Sequence, residues 1–471
     1  MEKYNSSEIP KSSRITRLVD HLYAKMPEIE SYRAKLITES YKETEDQPII
    51  TRRAKAFSHI LHNIPIIIRD EELIVGSNSI APRGCQTFPE FSFQWLEDEL
   101  DTVATRTADP FYISEEAKAD LREVHKYWKG KTTSELATAY MAPEAIRAID
   151  HNIFTPGNYF YNGVGHVTVK YWEVLEIGYE GIMAKAQAEL DKCNVGDGDY
   201  AERSRFLEAV IMSCQAVIDY ADRYAKLALE MAEKEADPTR KKELEQIAAN
   251  LEVVPAHKPQ TFWQAIQLYW FTHLAVTTEL NPWDAFSPGR LDQHLIKYYE
   301  ADTEAGILDD EKAKELLECL WIKFYNQPAP VKVGITLKES ATYVDFANIN
   351  TGGVTPDGKD GVNAVSYLIL DCMDDMKLVQ PNSNVTISKK TPARFLKRAC
   401  EISRKGWGQP AFYNTEAQTM ELINAGKSLE DARRGGSSGC VETGAWGSEA
   451  YILTGYLNIP KVFQLTLYNG F

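Results

Sequence analysis

The sequence lacks the cysteine spacing of a metal site or a disulfide framework. Its seven cysteines (Cys85, Cys193, Cys214, Cys319, Cys372, Cys400 and Cys440) are scattered and odd in number, and no Cys-x-x-Cys occurs. No iron–sulfur or zinc site is therefore written in the chain, and unpaired thiols point to a reducing cytoplasm. Cys214, Cys319, Cys372 and Cys400 fall in apolar helical surroundings and read as core residues. Long apolar runs are also missing. The longest, near residues 64–68 and 268–276, are far too short for a membrane span, and residues 1–17 are polar and mixed in charge, unlike an export signal. Positive charge is scarce as well: 52 Lys and Arg against 68 Asp and Glu give a formal net charge of −16, the wrong sign for a nucleic-acid surface. Repeats, low-complexity tracts and Gly/Ser linkers are absent too.

What remains is an ordinary globular composition, 44% apolar and 25% charged, over 471 residues, enough for a large core and two to four domains. Helical periodicity covers residues 15–26, 29–41, 52–62, 171–190, 262–276, 291–299, 311–325, 361–376 and 392–404. The series Val210, Cys214, Val217, Ala221, Tyr224, Ala228, Met231 keeps one helix face for many turns. Asp237-Pro238 then starts a new helix, with aspartate as N-cap and proline at the first helical position. Strand-like runs at 384–388, 410–413 and 461–467 alternate with the later helices. The pattern predicts an α/β fold, with a mainly helical portion over 1–250 and a strand-containing portion over 251–471, whose strand-end loops hold the chemistry.

Gly439-Cys440-Val441-Glu442-Thr443-Gly444 sets a thiol and a carboxylate two residues apart in a glycine-rich loop, 435–447. On extended backbone both side chains share a face, about 6.5 Å apart at Cα. A reactive sulfur beside a proton-transfer group is one reading; a buried cysteine in a glycine-rich turn is the other. His166 follows Gly163 and Gly165, a pattern suited to a loop brought close to a ligand and equally to a structural histidine.

The wording around Cys440 resembles the thiyl-radical loop of glycyl radical enzymes, in the lyase and dehydratase branch that carries Cys-Val-Glu. The resemblance runs nearly end to end, through Glu72-Leu73-Ile74-Val75-Gly76, Gly165-His166-Val167, Gly289-Arg290-Leu291-Asp292-Gln293, residues 352–363 and Gly408-Gln409-Pro410-Ala411. Asn281-Pro282-Trp283-Asp284, residues 340–346 and residues 449–456 are most similar to the members that act on hydroxyproline. Diol dehydratases and choline lyases of the family usually follow Cys-Val-Glu with proline, where this chain has Thr443.

The resemblance implies the first half of a ten-stranded α/β barrel, a five-stranded half-barrel wrapped by helices, with a helical N-terminal portion. It implies dehydration of trans-4-hydroxy-L-proline to 1-pyrroline-5-carboxylate, with Cys440 as the thiyl that takes a hydrogen atom and returns it. Glu442 is then the acid/base, His166 a partner for the leaving hydroxyl or for Asp345, and Asp284 a contact to the substrate hydroxyl or amine; helix capping is the plain alternative for Asp284. Ser340 and the backbone near Phe346 bind the substrate carboxylate, Phe346 walls the ring, and Tyr456 stands near the site. No cofactor is bound directly. The glycyl radical lies on a C-terminal portion and loop that this sequence does not contain, so the chain reads as an N-terminal fragment, inactive alone. A radical S-adenosylmethionine activating enzyme installs the radical, homodimers are common, and an anaerobic cytoplasm follows from oxygen sensitivity. The rivals are a glycyl radical lyase for glycerol, propane-1,2-diol, choline or isethionate, a polar thiol enzyme with Cys440 as nucleophile and His166 as base, and an inert helical module or fragment.

Overall fold

The structure is a computed structural model that describes residues 9–156, 163, 165–281, 285–330, 346–439, 441–450 and 455–470. Its strands among these residues, in chain order, are β1 (Glu28–Glu30), β2 (Gly84–Gln86), β3 (Phe154–Pro156), β4 (Asn348–Gly352), β5 (Asn382–Ile387), β6 (Ala411–Asn414), β7 (Gly436–Ser438), β8 (Glu442–Gly444) and β9 (Gly455–Leu457).

The long helices form where the apolar spacing places them. Helix Tyr200–Lys234 buries Cys214, Val217, Tyr220, Ala221, Tyr224 and Ala228 along one face. It packs on helices Ile49–Asn63, Tyr171–Leu190 and Pro238–Leu251. Asp237 caps the last of these, accepting from the Thr239 N–H at 2.9 Å, with Pro238 in the first turn, as the sequence predicts. Two of the helical readings need correction. Residues 29–41 do not begin as helix, because Glu28–Glu30 pairs in parallel with Gly84–Gln86 and the helix starts at Tyr32. The 171–190 helix is broken at Gly178 (φ +64°, ψ −179°). There the Tyr179 and Glu180 N–H groups donate to Pro255 O and Ala256 O, both at 3.0 Å. A Cβ at Gly178 would lie 2.4 Å from Ala256 O, so only glycine admits this insertion.

The sheet is parallel in the order β4, β5, β6, with Asn350 opposite Asn384 and Asn384 opposite Ala411. Two further segments extend it. Gly289 bridges Ile349 in parallel, and Val167 bridges Phe286 in parallel. Five segments therefore lie side by side in one direction, from Val167 through 286–289 to β6, which is the half-barrel the sequence leads one to expect. Crossover helices Ala364–Met376 and Ala393–Ser403 cover the face that carries Ile349 and Val385, burying Val365, Leu368, Phe395 and Ala399. Alternation sends Asn348, Asn350, Asn384 and Thr386, all fully buried, to the opposite face. One continuous hydrophobic cluster runs from Ile15 to Ile402 and spans both the helical and the strand-containing portions.

The strand expected at 461–467 is a helix, Ile459–Leu467. Asn458 accepts from the Lys461 N–H at 3.0 Å and Pro460 occupies the first turn, a start signal that overrides the apolar alternation. Cys400, expected in the core, is exposed, whereas Cys214, Cys319 and Cys372 are buried. The neighbouring Ala399 and Ile402 take the inward face of that helix. No helix among the described residues is long and apolar enough to cross a membrane.

Candidate active site

The hairpin formed by β7 and β8 pairs Ser438 with Glu442 and Gly436 with Gly444. It stands on the polar face of β4. Asn350 donates from Nδ2 to Ser437 O at 2.8 Å and accepts from the Ser437 N–H at 2.9 Å, engaging both main-chain polar groups of that residue. Asn348 Nδ2 donates to Gly439 O at 2.8 Å. The Ser287 and Ser438 hydroxyls meet at 3.2 Å, which ties the hairpin to the neighbouring barrel segment. The hairpin's placement is thus written mainly in asparagine side chains that replace a missing strand ladder.

At the hairpin tip Gly439 adopts φ +62°. Glu442 folds back, its Oε2 accepting from the Val441 N–H at 2.9 Å. His166, 1% exposed and itself at φ +51°, brings Nδ1 to 3.8 Å from the same Oε2. A Cβ at Gly439 would fall 2.5 Å from His166 Cε1 and 3.0 Å from Glu442 Oε2. Imidazole and carboxylate therefore close over a backbone that only glycine allows to come so near. His166 is delivered by the first barrel segment, where Val167 bridges both Phe286 and Ala450. Val441 beside it is exposed, so the tip is open on one side.

Of the residues singled out in the sequence, His166 and Glu442 are brought together. Cys440, Asp284, Ser340 and Asp345 lie outside the described residues. Gly439 and Val441 lie in turn conformation, and β8 starts at Glu442. Phe346, half-buried at φ +50°, stands two residues before the buried start of β4 at Asn348. Tyr456 stands on β9, opposite Thr155 of β3, and is half exposed.

Arg290, within Gly289-Arg290-Leu291-Asp292-Gln293, has a structural role that its sequence position does not announce. The guanidinium is buried and donates to Gly352 O at 2.8 Å, to Gly435 O at 2.8 and 3.1 Å and to Arg433 O at 3.2 Å. It clamps the end of β4 to the chain entering the hairpin. Burial lowers Arg290 to about 10, with Asp292 acting the other way. Asp292 accepts from the Gly352 N–H at 2.8 Å and the Ser366 hydroxyl at 2.6 Å, and burial raises its carboxyl to about 6. The signal that marks this clamp is the pairing of Gly289-Arg290 with Gly352-Gly353, which only tertiary structure turns into contacts. Among the described residues no group of three or more His, Cys, Asp or Glu is arranged to hold a metal ion.

The whole chain is similar to known proteins. It is 54% identical over 448 residues to the trans-4-hydroxy-L-proline dehydratase of Clostridioides difficile, covering 94% of this chain and 56% of that protein. Its structure matches that of a Roseburia inulinivorans protein described for 1,2-propanediol dehydration at TM-score 0.96 and 48% identity, over 100% of this chain and 56% of the other. It matches Clostridioides difficile hydroxyproline dehydratase with trans-4-hydroxy-L-proline bound at TM-score 0.94 and 51% identity, over 98% and 58%. The chain thus spans little more than half the length of the relatives it matches. With the pyruvate formate lyase-like family model matching residues 6–471, the half-barrel and its cysteine hairpin belong to that family.

Proposed function

We propose that this chain supplies the substrate-binding half-barrel and the hydrogen-abstracting thiol of a glycyl radical dehydratase acting on trans-4-hydroxy-L-proline. The observation that carries the reading is the His166–Glu442 contact packed on Gly439, the residue before Cys440. A glycyl radical, when present, supplies the one-electron oxidation that makes the sulfur a hydrogen-atom acceptor. The exposed tip at Val441 leaves room for a radical-bearing loop to approach. A separate radical S-adenosylmethionine enzyme installs the radical in an anaerobic cytoplasm, and the assembled protein is a homodimer.

In this reading the Cys440 sulfur takes a hydrogen atom from the ring carbon beside nitrogen and returns it to the product. Glu442 moves the proton that lets the neighbouring hydroxyl leave as water. His166 fixes the carboxyl and, as a second donor, favours departure of the hydroxyl. Asp284 contacts the substrate hydroxyl or amine, Ser340 and Asp345 hold its polar groups, and Phe346 and Tyr456 border the ring. Removing water leaves 1-pyrroline-5-carboxylate.

The likeness to the Roseburia protein favours one other reading, dehydration of an acyclic diol. Ser340, Asp345, Phe346 and Thr443 favour the cyclic amino acid. Anaerobic activation of the protein that carries this chain, followed by incubation with trans-4-hydroxy-L-proline, propane-1,2-diol and glycerol in parallel, separates the two. Formation of 1-pyrroline-5-carboxylate alone supports the proposal; aldehyde from the diols with hydroxyproline untouched overturns it.

A further inference from the structure

A cavity of about 280 Å³ lies between the helices that begin at Tyr171 and Leu291 and the segment leading into the cysteine hairpin. Arg290, Lys297 and Arg434 line it, in a chain whose net charge is −16. One carboxylate, Glu176, lines it with them and pairs with Lys297. Glu430 pairs with Arg434 at 2.8 Å from the preceding turn and is largely exposed. Asp292 stands beside Arg290 but is engaged with the Gly352 N–H and the Ser366 hydroxyl.

A buried histidine, His294, stands in the wall with these cations. His294 is pushed down to about 3 by burial and then by Arg290, Arg434 and Lys297. Its Nδ1 is 3.0 Å from the Tyr269 hydroxyl, which fixes the ring. Trp172 completes the wall, its ring 6.0 Å from that of His294 and 5.1 Å from the Arg434 guanidinium carbon. Arg290 is held by main-chain carbonyls, so it contributes field rather than a movable donor. The Lys297–Glu176 and Arg434–Glu430 pairs are solvent-reaching and weak, so both cations can turn to an anion that offers several acceptor oxygens.

We propose that this cavity binds a small oxyanion of the phosphate type, gripped by the Arg434 guanidinium and the Lys297 ammonium. Arg434 directly precedes Gly435, whose carbonyl Arg290 holds, so an anion seated here bears on the entry to the hairpin. The proposal is independent of the substrate assigned above.

The test is calorimetric titration of inorganic phosphate into the protein that carries this chain at low ionic strength, repeated with Arg434→Gln, Lys297→Gln and, as a control, the exposed Lys241→Gln on helix Pro238–Leu251, which does not line the cavity. Thermal melts accompany each variant. Saturable one-to-one binding is expected, weakened at least about fivefold by each of the first two substitutions and unchanged by the third. Sulfate should compete and chloride of equal ionic strength should not. Absence of saturable binding, equal weakening by all three substitutions, or equal displacement by chloride overturns the proposal.

Discussion

His166 Nδ1 lies 3.8 Å from Glu442 Oε2, and the backbone of Gly439 fills the angle between them. Three separate parts of the fold meet at that point: the first barrel segment, the β7 to β8 turn and, through Asn348, β4. A rigid framework holds the pair, while the chain on the far side of the turn is open to solvent. That combination suits a site that admits a reactant without losing its own geometry.

Gly439→Ala tests the closeness directly. The added methyl collides with the imidazole and must also sit at φ +62°. Strain of this kind costs about 1–3 kcal/mol. Urea unfolding should show a lower midpoint at an unchanged slope, and turnover in the activated protein should fall more than stability does.

Arg290→Lys should destabilise the chain by roughly 3 kcal/mol. A lysine ammonium has the charge but not the planar fork that serves Gly352, Gly435 and Arg433 together, and it leaves buried carbonyls unsatisfied. Hydrogen exchange should reveal the loss first at the β7 to β8 hairpin. Uniform loosening of the whole core would contradict the clamp.

Stability should depend on pH through Glu318, whose carboxyl is raised by burial from 4.5 to about 7. A group that holds its proton more tightly in the native state stabilises at low pH, and this contribution is lost as pH rises from 4.5 through about 7. Relative to Glu318→Gln, the unsubstituted chain should therefore lose roughly 3 kcal/mol between pH 4 and pH 8. Paired denaturant melts at the two pH values read this out.

Thiol labelling should divide the cysteines. Burial raises Cys214 and Cys319 to about 12 and Cys372 well above its usual value, and all three are inaccessible. Iodoacetamide should reach exposed Cys400 and half-buried Cys193 in the native chain, with buried Cys85, Cys214, Cys319 and Cys372 reacting only after unfolding. Mass spectrometry of the labelled peptides checks this.

Much of this architecture can be read from local pattern. Helix Tyr200–Lys234 is legible because its apolar stripe faces three other helices, and Asp237-Pro238 marks the next start by a local hydrogen bond. The parallel strands β5 and β6 are legible because short apolar runs there alternate with strong helices. Helix Ile459–Leu467 reads as a strand because its residues are largely exposed and show no buried stripe; the Asn458 cap and Pro460 are what mark it as a helix. The break at Gly178 depends on Ala256 O arriving from another part of the chain. Cys400 sits one residue from buried Ala399, a difference in phase too small for composition to resolve. In the site, the glycines and the Cys-Val-Glu spacing were visible, but the Arg290 clamp and the Asn348 and Asn350 grips were not, because their partners are main-chain atoms from distant strands.

The most direct measurement is turnover of trans-4-hydroxy-L-proline by the anaerobically activated protein carrying Cys440→Ser or Glu442→Gln. The account predicts no detectable 1-pyrroline-5-carboxylate from the serine variant and a loss of roughly a hundredfold or more from the glutamine variant, with the fold intact in both. Turnover by the serine variant at the unsubstituted rate would contradict it.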